Sequence, residues 1–405
     1  MTRSSSNQSN LGLFLPLYLP GFLFSFSYSL LIPVLPIYAQ TFDISYGLVG
    51  LVLAADSLGM LLGDLPAGML MRRLGQKSSM MAGLILTGAS TAAIFWAPSI
   101  PVIIIMRMLA GLGTSLFSVS RHYFLVEKAP QASRGRIISL FGGVVRAGRM
   151  AGPVAGGTIA ALFGLRASFL AFGAACLLAL IIVIKFLPHV EVEQQGKNPS
   201  TRSAIADFRA MFKLQARSLF TAGPGYLFMQ LIRSGPPVII PLYAANLLGL
   251  TVQDIGIIMG VSSTLDMLLF YPTGILMDRR GRKYAIISSC LLQAVGLAAV
   301  PFTEGYGTLL AAGLTWGLGN GLGAGVMLTL GSDLAPLKGR SEFLGAWTLV
   351  GDIGSTSGPL AIGQLADVIP LPFTAWAVAG AGLAAALIFA TLVPETYKLQ
   401  HKTEV

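Results

Sequence analysis

Long apolar runs separated by short polar breaks set the rhythm of this chain. Runs near 12–38, 47–71, 79–97, 101–125, 136–161 and 166–187 are each long enough to cross a bilayer core as a helix. Six more follow near 218–246, 253–277, 284–302, 307–330, 342–366 and 371–394. Hydrocarbon offers no partners for backbone N–H and C=O groups, so segments of this kind must be helices. The pattern predicts an all-α membrane protein of twelve transmembrane helices in two six-helix bundles. The first bundle covers 1–187, a cytoplasmic linker covers 188–217, and the second bundle covers 218–405. Late in the linker, Ile205, Phe208 and Phe212 share one helical face while Arg209 and Lys213 lie elsewhere. That arrangement suits an interfacial helix lying on the membrane; a plain linker is an equal alternative. The apolar part of the N-terminus, Leu11 to Pro36, is too long for a signal peptide and is read as the first span.

Charge orients the spans. Arg72, Arg73, Lys77, Lys128, Arg134, Arg136, the linker, Arg279 to Lys283, Lys338, Arg340, Lys398 and Lys402 fall on one side. The opposite loops hold Asp43, Asp254, Glu304, Asp367 and a single Arg166. By the positive-inside rule both termini and the linker are expected in the cytoplasm, and the chain is expected in a bacterial inner membrane.

Composition then excludes several classes. With 54% hydrophobic and 11% charged residues, the chain falls far below the roughly one quarter charged that soluble domains carry. The 48 glycines suit helices that approach closely in lipid. The net charge of +10 is scattered over short loops without interleaved aromatics, so nucleic acid is not an expected partner. Cys176 and Cys290 sit inside apolar runs, and His122, His189 and His401 are dispersed, so no disulfide or metal site is expected. There is no GxxxxGK(S/T) phosphate cradle, GxSxG elbow or HExxH helix. Covalent catalysis, ATP as the energy source and a bound cofactor are therefore not expected.

The chain also repeats itself. "DLPAGMLMRRLGQK" ends at Lys77 and "YPTGILMDRRGRK" ends at Lys283, and 283 − 77 is 206. At that offset Gly111-Leu112-Gly113 meets Gly317-Leu318-Gly319, Ala129-Pro130 meets Ala335-Pro336, and Arg134 meets Arg340. Gly148 meets Gly354, Gly152-Pro153 meets Gly358-Pro359, and Gly157 meets Gly363. The first helix of each half slips by one, "PIYA" at 36–39 matching "PLYA" at 241–244. One six-helix unit has been duplicated, and both copies start from the same side of the membrane.

Three motifs stand out. The loop between the second and third spans carries Gly68, Arg73, Gly75 and Lys77, with Arg72 where the second copy has an acid. That second copy reads Gly274, Asp278, Arg279, Gly281, Arg282 and Lys283. Glycine permits a tight turn and close helix contact, and the basic residues suit helix C-termini or neighbouring carboxylates. "RMLAGLG" places Arg107 inside the fourth span with Gly111 and Gly113, where a lone guanidinium must face a cavity or a partner. "GRMAGPVAGG" sets Gly148, Gly152, Pro153, Gly156 and Gly157 in the fifth span. There the proline removes a backbone donor and bends the helix, and the glycines admit a close neighbour.

On these motifs the chain resembles the major facilitator superfamily over nearly its whole length, and within it the twelve-helix drug:proton antiporters. The resemblance implies two parallel bundles related by an axis along the membrane normal. It implies that the Asp278 loop latches the outward-facing state, with Arg72 unable to supply the matching carboxylate. It implies proton coupling through Arg107 and export through the fifth-span motif. The first span departs from several such antiporters in having no acidic residue.

Ionisable residues within spans are the remaining candidates: Asp56, Asp64, Asp266 and Asp352 against Arg107, Arg146, Arg149 and Arg233. Four acids and four bases are able simply to neutralise one another. Arg146 and Asp352 are equivalent at the 206 offset with opposite charge, and Arg146 and Arg149 are three apart on one helix face. A carboxylate whose Arg contact is made in one conformation and broken in another takes up and releases a proton in step with the change. Asp266 or Asp352 is the expected proton carrier, with Asp56 or Asp64 next. The expected function is proton-driven export of small amphipathic organic compounds by a monomer embedded in lipid. A lipid or lysolipid flippase or an exporter of an anionic metabolite is the alternative on the same fold. A sensor or assembly protein that moves nothing is the alternative of another class.

Overall fold

The computed structural model describes residues 14–128, 134–187, 201–336 and 339–396, and its secondary structure there is helical with no strand. The helical segments group into twelve. In the first half, α1 is Leu19–Leu30 with Leu35–Gln40, α2 is Tyr46–Leu74 and α3 is Gln76–Ala93. They are followed by α4 at Ile100–Lys128, α5 at Arg134–Phe163 and α6 at Ala167–Phe186. In the second half, α7 is Thr201–Ser234 with Pro236–Asn246, α8 is Val252–Arg280 and α9 is Arg282–Ala299. They are followed by α10 at Tyr306–Leu322 with Val326–Leu334, α11 at Arg340–Val368 and α12 at Leu371–Thr391.

Among the described residues, eight stretches are apolar and long enough to cross a membrane by length and composition, and they fall in α1, α2, α3, α4, α6, α8, α9 and α12. The other four carry breaks or charges: Arg146 and Arg149 in α5, Arg233 in α7, a split α10, and Asp352 in α11. Large apolar side chains such as Leu62, Phe163, Leu177 and Leu268 are exposed along the helices, as lipid-facing surface requires.

Three helices are interrupted, each for a local reason. α1 breaks over Leu31 to Val34, where Pro33 has no N–H to give. α7 breaks at Gly235 ahead of Pro236 and Pro237. α10, expected as one span, breaks at Gly323-Ala324-Gly325, where Gly325 takes a left-handed φ of 75°. α5 runs through Pro153 without interruption.

The linker's 201–217 part is helical and continues into the seventh span. Residues 188–200 and the side chains of Ile205, Phe208, Arg209, Phe212 and Lys213, on which the interfacial-helix reading rests, lie outside the described residues. So do His189, Lys338, Lys398, His401 and Lys402, and the side chains of Lys128, Arg134 and Arg136.

The described residues within Met1–Glu193 and Gly249–Gly260 form one compact unit, and those within Gln194–Leu248 and Val261–Val405 form another. In the first, Tyr18, Phe24, Met80, Phe117, Phe124, Ile137 and Phe141 pack into a core drawn from α1, α3, α4 and α5 and the turn that precedes α1. In the second, Met229, Met277, Cys290, Phe343, Trp347 and Phe389 do the same for α7, α8, α9, α11 and α12.

Glycine sets the closest approaches, and the same register serves both units. A Cβ on Gly111 would overlap the carbonyl of Asp56, and a Cβ on Gly317 would overlap that of Ser262; 111 and 56 plus 206 are 317 and 262. On α5, Gly148 meets Phe22 and Gly152 meets Ser29 of α1. On α11, Gly354 meets Leu227 and Gly358 meets Ser234 of α7, where 22 and 29 plus 205 are 227 and 234. In lipid, where no hydrophobic effect draws helices together, such backbone contact is a main source of helix association.

Candidate functional site

The α2–α4 contact through Gly59 and Gly111 decides which charges meet in the first unit. A Cβ on Gly59 would overlap the carbonyl of Met108, so the helices touch backbone to backbone beside Asp56 and Arg107. Both side chains are buried, and Arg107 Nη2 lies 3.6 Å from Asp56 Oδ1. From α1, the Tyr28 hydroxyl donates to Asp56 Oδ2 at 2.8 Å. Arg107 Nε is buried with no hydrogen-bond partner. A carboxylate, a guanidinium and a phenol from three helices thus form one cluster inside the unit, where a charge without a partner would be costly.

Asp64 does not join them. Eight residues along α2 turn it about 80° from Asp56, and it is exposed, accepting a hydrogen bond from Ser115 Oγ at 2.5 Å. Its expected burial is therefore corrected. Arg149 is exposed as well, while Arg146 on the same helix is half-buried. Arg149 lies within electrostatic reach of both Tyr28 and Arg121.

In the second unit, Arg233 of α7 uses the break in α10. Its Nη2 donates to the carbonyl of Gly323 at 2.8 Å, and its Nη1 donates to Gln230 Oε1 at 3.4 Å. The interruption releases a backbone acceptor from the helix ladder, and the guanidinium satisfies it. Asp352 is half-buried on α11, and its charge and that of Arg233 both act on Tyr226. Asp266 is half-buried on α8, its backbone close to Gly321 of α10.

The two motif loops form clasps of unequal strength. Gly75 and Gly281 take φ of 81° and 98°, the left-handed turn that glycine permits. A Cβ at Gly68 or Gly274 would meet nothing within 4 Å, so the close helix contact expected of those two glycines is absent. After Gly281, buried Arg282 pairs through Nε with Asp333 Oδ2 at 3.1 Å and through Nη1 with Asp278 Oδ1 at 3.3 Å. Glu395 accepts from the backbone N–H groups of Arg282 and Lys283 at 3.0 and 3.1 Å, and the Thr396 hydroxyl donates to Asp333 at 2.9 Å. Asp278 is mostly exposed; buried Asp333 is the better-shielded partner of Arg282. In the first loop, Gln76 donates to Glu127, and Lys77 Nζ donates to the carbonyls of Ile184 and Leu187 at the C-terminal end of α6 at 2.8 and 2.7 Å. Arg73 and Arg279 are exposed.

The fifth-span motif has two faces. Gly148, Gly152 and Gly156 seat α5 on α1, and Gly157 approaches Val252 and Gly256 at the start of α8. The Pro153 carbonyl faces Gly256 there.

Sequence reasoning missed four features. Tyr28 as the donor to Asp56 is one, since nothing local in the sequence ties it to position 56. Arg121 was overlooked, although it lies within the fourth apolar run, 121 − 107 or 14 residues past Arg107, and so on nearly the same helix face. The partners Asp333 and Glu395 were not connected to the motif loop. The α10 break was hidden in a glycine-rich run that also suits packing.

Comparison with known proteins places this arrangement. The family model described as Major Facilitator Superfamily matches residues 17–354 and 222–404. An uncharacterized MFS-type transporter of Methanocaldococcus jannaschii is 23% identical over 83% of this chain and 86% of its own length. The quinolone resistance protein NorA of Staphylococcus aureus is 24% identical over 87% of this chain and 89% of its own. The crystal structure of the nucleoside transporter NupG superposes with a TM-score of 0.78 at 14% identity, covering 95% of this chain and all of that one, which speaks for the fold.

Proposed function

Because the chain belongs to the Major Facilitator Superfamily of membrane transporters, we propose that it is a proton-coupled secondary transporter that exports amphipathic organic compounds by alternating access. The buried Asp56–Arg107–Tyr28 cluster carries this reading. An ion pair at about 4 Å is worth about 4 kcal/mol at an effective dielectric near 20. The electrical part of a proton gradient supplies about 2.3 kcal/mol per charge per 100 mV. The two are commensurate, so a proton arriving at Asp56 frees Arg107 and a departing one restores the pair. Tyr28 donates to the same carboxylate from a third helix and so fixes its position beside Arg107. Export as the direction is supported by the fifth-span motif and by the likeness to the quinolone resistance protein.

The test is dye efflux and drug resistance in a strain lacking its own pumps, with and without an uncoupler, followed by proton-driven flux in proteoliposomes. Asp56→Asn is expected to reduce proton-driven flux by about 100-fold or more while substrate still binds, and Tyr28→Phe by about tenfold. Full coupling in the Asn variants of Asp56, Asp64, Asp266 and Asp352 alike ends the proposal. A second reading, a lysolipid flippase or exporter of an anionic metabolite, is favoured by one observation. Away from their ends, the first unit's helices hold Arg107, Arg121, Arg146 and Arg149 against Asp56 and Asp64. A sensor that moves nothing is eliminated by any uncoupler-sensitive flux.

A further inference from the structure

Arg121 is a cation that the proton-coupling reading leaves without work. It sits on α4, about 21 Å beyond Arg107 at 1.5 Å per residue. Its guanidinium carbon lies 5.0 Å from the ring centre of Phe117 and 5.0 Å from that of Phe141. Those rings are themselves fixed: Phe117 packs on Phe24 with centroids 4.6 Å apart, and Phe141 on Tyr18 at 6.1 Å. A cation over aromatic faces is attracted by the ring quadrupoles, and the planar guanidinium is the group best shaped for it. The rings hold the side chain in place, yet they do not neutralise it.

Among the described residues Arg121 has no carboxylate partner, and its Nε is buried with no hydrogen bond. The charge that does reach it is that of Arg149, of the same sign. Asp56 is engaged by Arg107 and Tyr28, and Asp64 by Ser115. Arg121 is half-buried against its two rings, the like charge of exposed Arg149 acts on it, and a partly desolvated cation so placed calls for an anion.

We propose that Arg121, held by Phe117 and Phe141 and assisted by Arg149, binds the oxyanion of an amphipathic acid. This rests on the transporter reading above and names its substrate class: molecules bearing a carboxylate, phosphate or sulfonate on a hydrophobic body. The clamp presents donors in a fixed plane, which suits a bidentate oxyanion. An anionic lysolipid and a water-soluble amphipathic acid share that chemistry.

The experiment uses the full chain in nanodiscs, with dansylamino-undecanoic acid and its primary amide as probes of equal shape and unequal charge. Wild type is expected to bind the acid about tenfold or more tightly than the amide. Arg121→Gln is expected to erase that preference while leaving amide affinity unchanged, and Arg121→Lys to restore part of it. Arg149→Gln is expected to reduce the preference by severalfold. Equal affinity for acid and amide in wild type, or an undiminished preference in Arg121→Gln, overturns the proposal. If Arg121→Gln does not fold, the decision passes to Arg121→Lys, where an unreduced preference overturns it and a reduced one supports it. Competition by lysophosphatidylglycerol assigns the site to lipid, and competition by a soluble alkyl sulfonate alone assigns it to a free acid. Proteoliposome flux is read separately. Arg121-dependent binding without proton-driven flux keeps the site and removes the transporter reading. Proton-driven flux with no acid preference does the reverse.

Discussion

The two halves share a skeleton and differ in their charges. Gly111 on Asp56 and Gly317 on Ser262 are the same contact made twice, as are Gly148 on Phe22 and Gly354 on Leu227. Yet Tyr28, which donates to Asp56, corresponds at the 205 offset to Arg233, which donates to the Gly323 carbonyl in a broken helix. The positions of Asp56 and Arg107 correspond to Ser262 and Gly313 in the second half, so the buried ion pair is not duplicated. Backbone contacts admit few solutions, because a Cβ in the wrong place forces two helices apart. Side chains beside them are free to diverge once the backbone is placed. The duplication therefore persists as a pattern of glycines, and the chemistry lies where the copies differ.

The loops teach the same lesson with a measurable contrast. Arg282 and Asp333 in the second half stand where Gln76 and Glu127 stand in the first, since 76 and 127 plus 206 are 282 and 333. Arg282→Gln brings the second clasp toward the first but leaves the buried Asp333 without its cation. The expected loss is about 3 kcal/mol or more of stability, read from thermal unfolding of the purified chain. An unshifted melt would show that Asp333 is satisfied without Arg282.

A smaller effect separates the glycines. Gly111→Ala and Gly317→Ala insert a methyl into backbone and are each expected to destabilise by about 1–3 kcal/mol. Gly68→Ala and Gly274→Ala place it in open space and are expected to stay within about 0.5 kcal/mol. Equal losses at all four would mean that helix propensity, not contact, decides. The smallest expected change is Asp278→Asn. Its carboxylate is mostly exposed beside Arg282, and such pairs contribute about 0–1 kcal/mol. A loss as large as that of Arg282→Gln would place Asp278, rather than Asp333, at the centre of the clasp.

Much of this was legible in the residues. The twelve spans, the repeat, the turns at Gly75 and Gly281, and Arg107 as a guanidinium needing a partner all follow from properties that single residues or short windows carry. The candidate site was legible only as a set of charges. Asp64 and Arg149 entered as buried and are exposed, because a helix turns about 100° per residue and burial depends on which neighbour it meets. Asp56 stood behind Asp266 and Asp352, although it is the carboxylate buried against an arginine and a tyrosine.

Transfer free energy is a sum over each residue's own side chain and backbone, so the linear order of apolar and polar positions was enough to predict helices, spans and duplication. Pairing is a property of distance. Tyr28, Asp56 and Arg107 lie on three helices, and only the approach allowed by Gly59 and Gly111 decided that Asp56 and Arg107 would meet. The tertiary structure likewise left Arg121 against two rings with no carboxylate partner among the described residues, because a charge's partner is chosen by packing across the chain rather than by its neighbours along it.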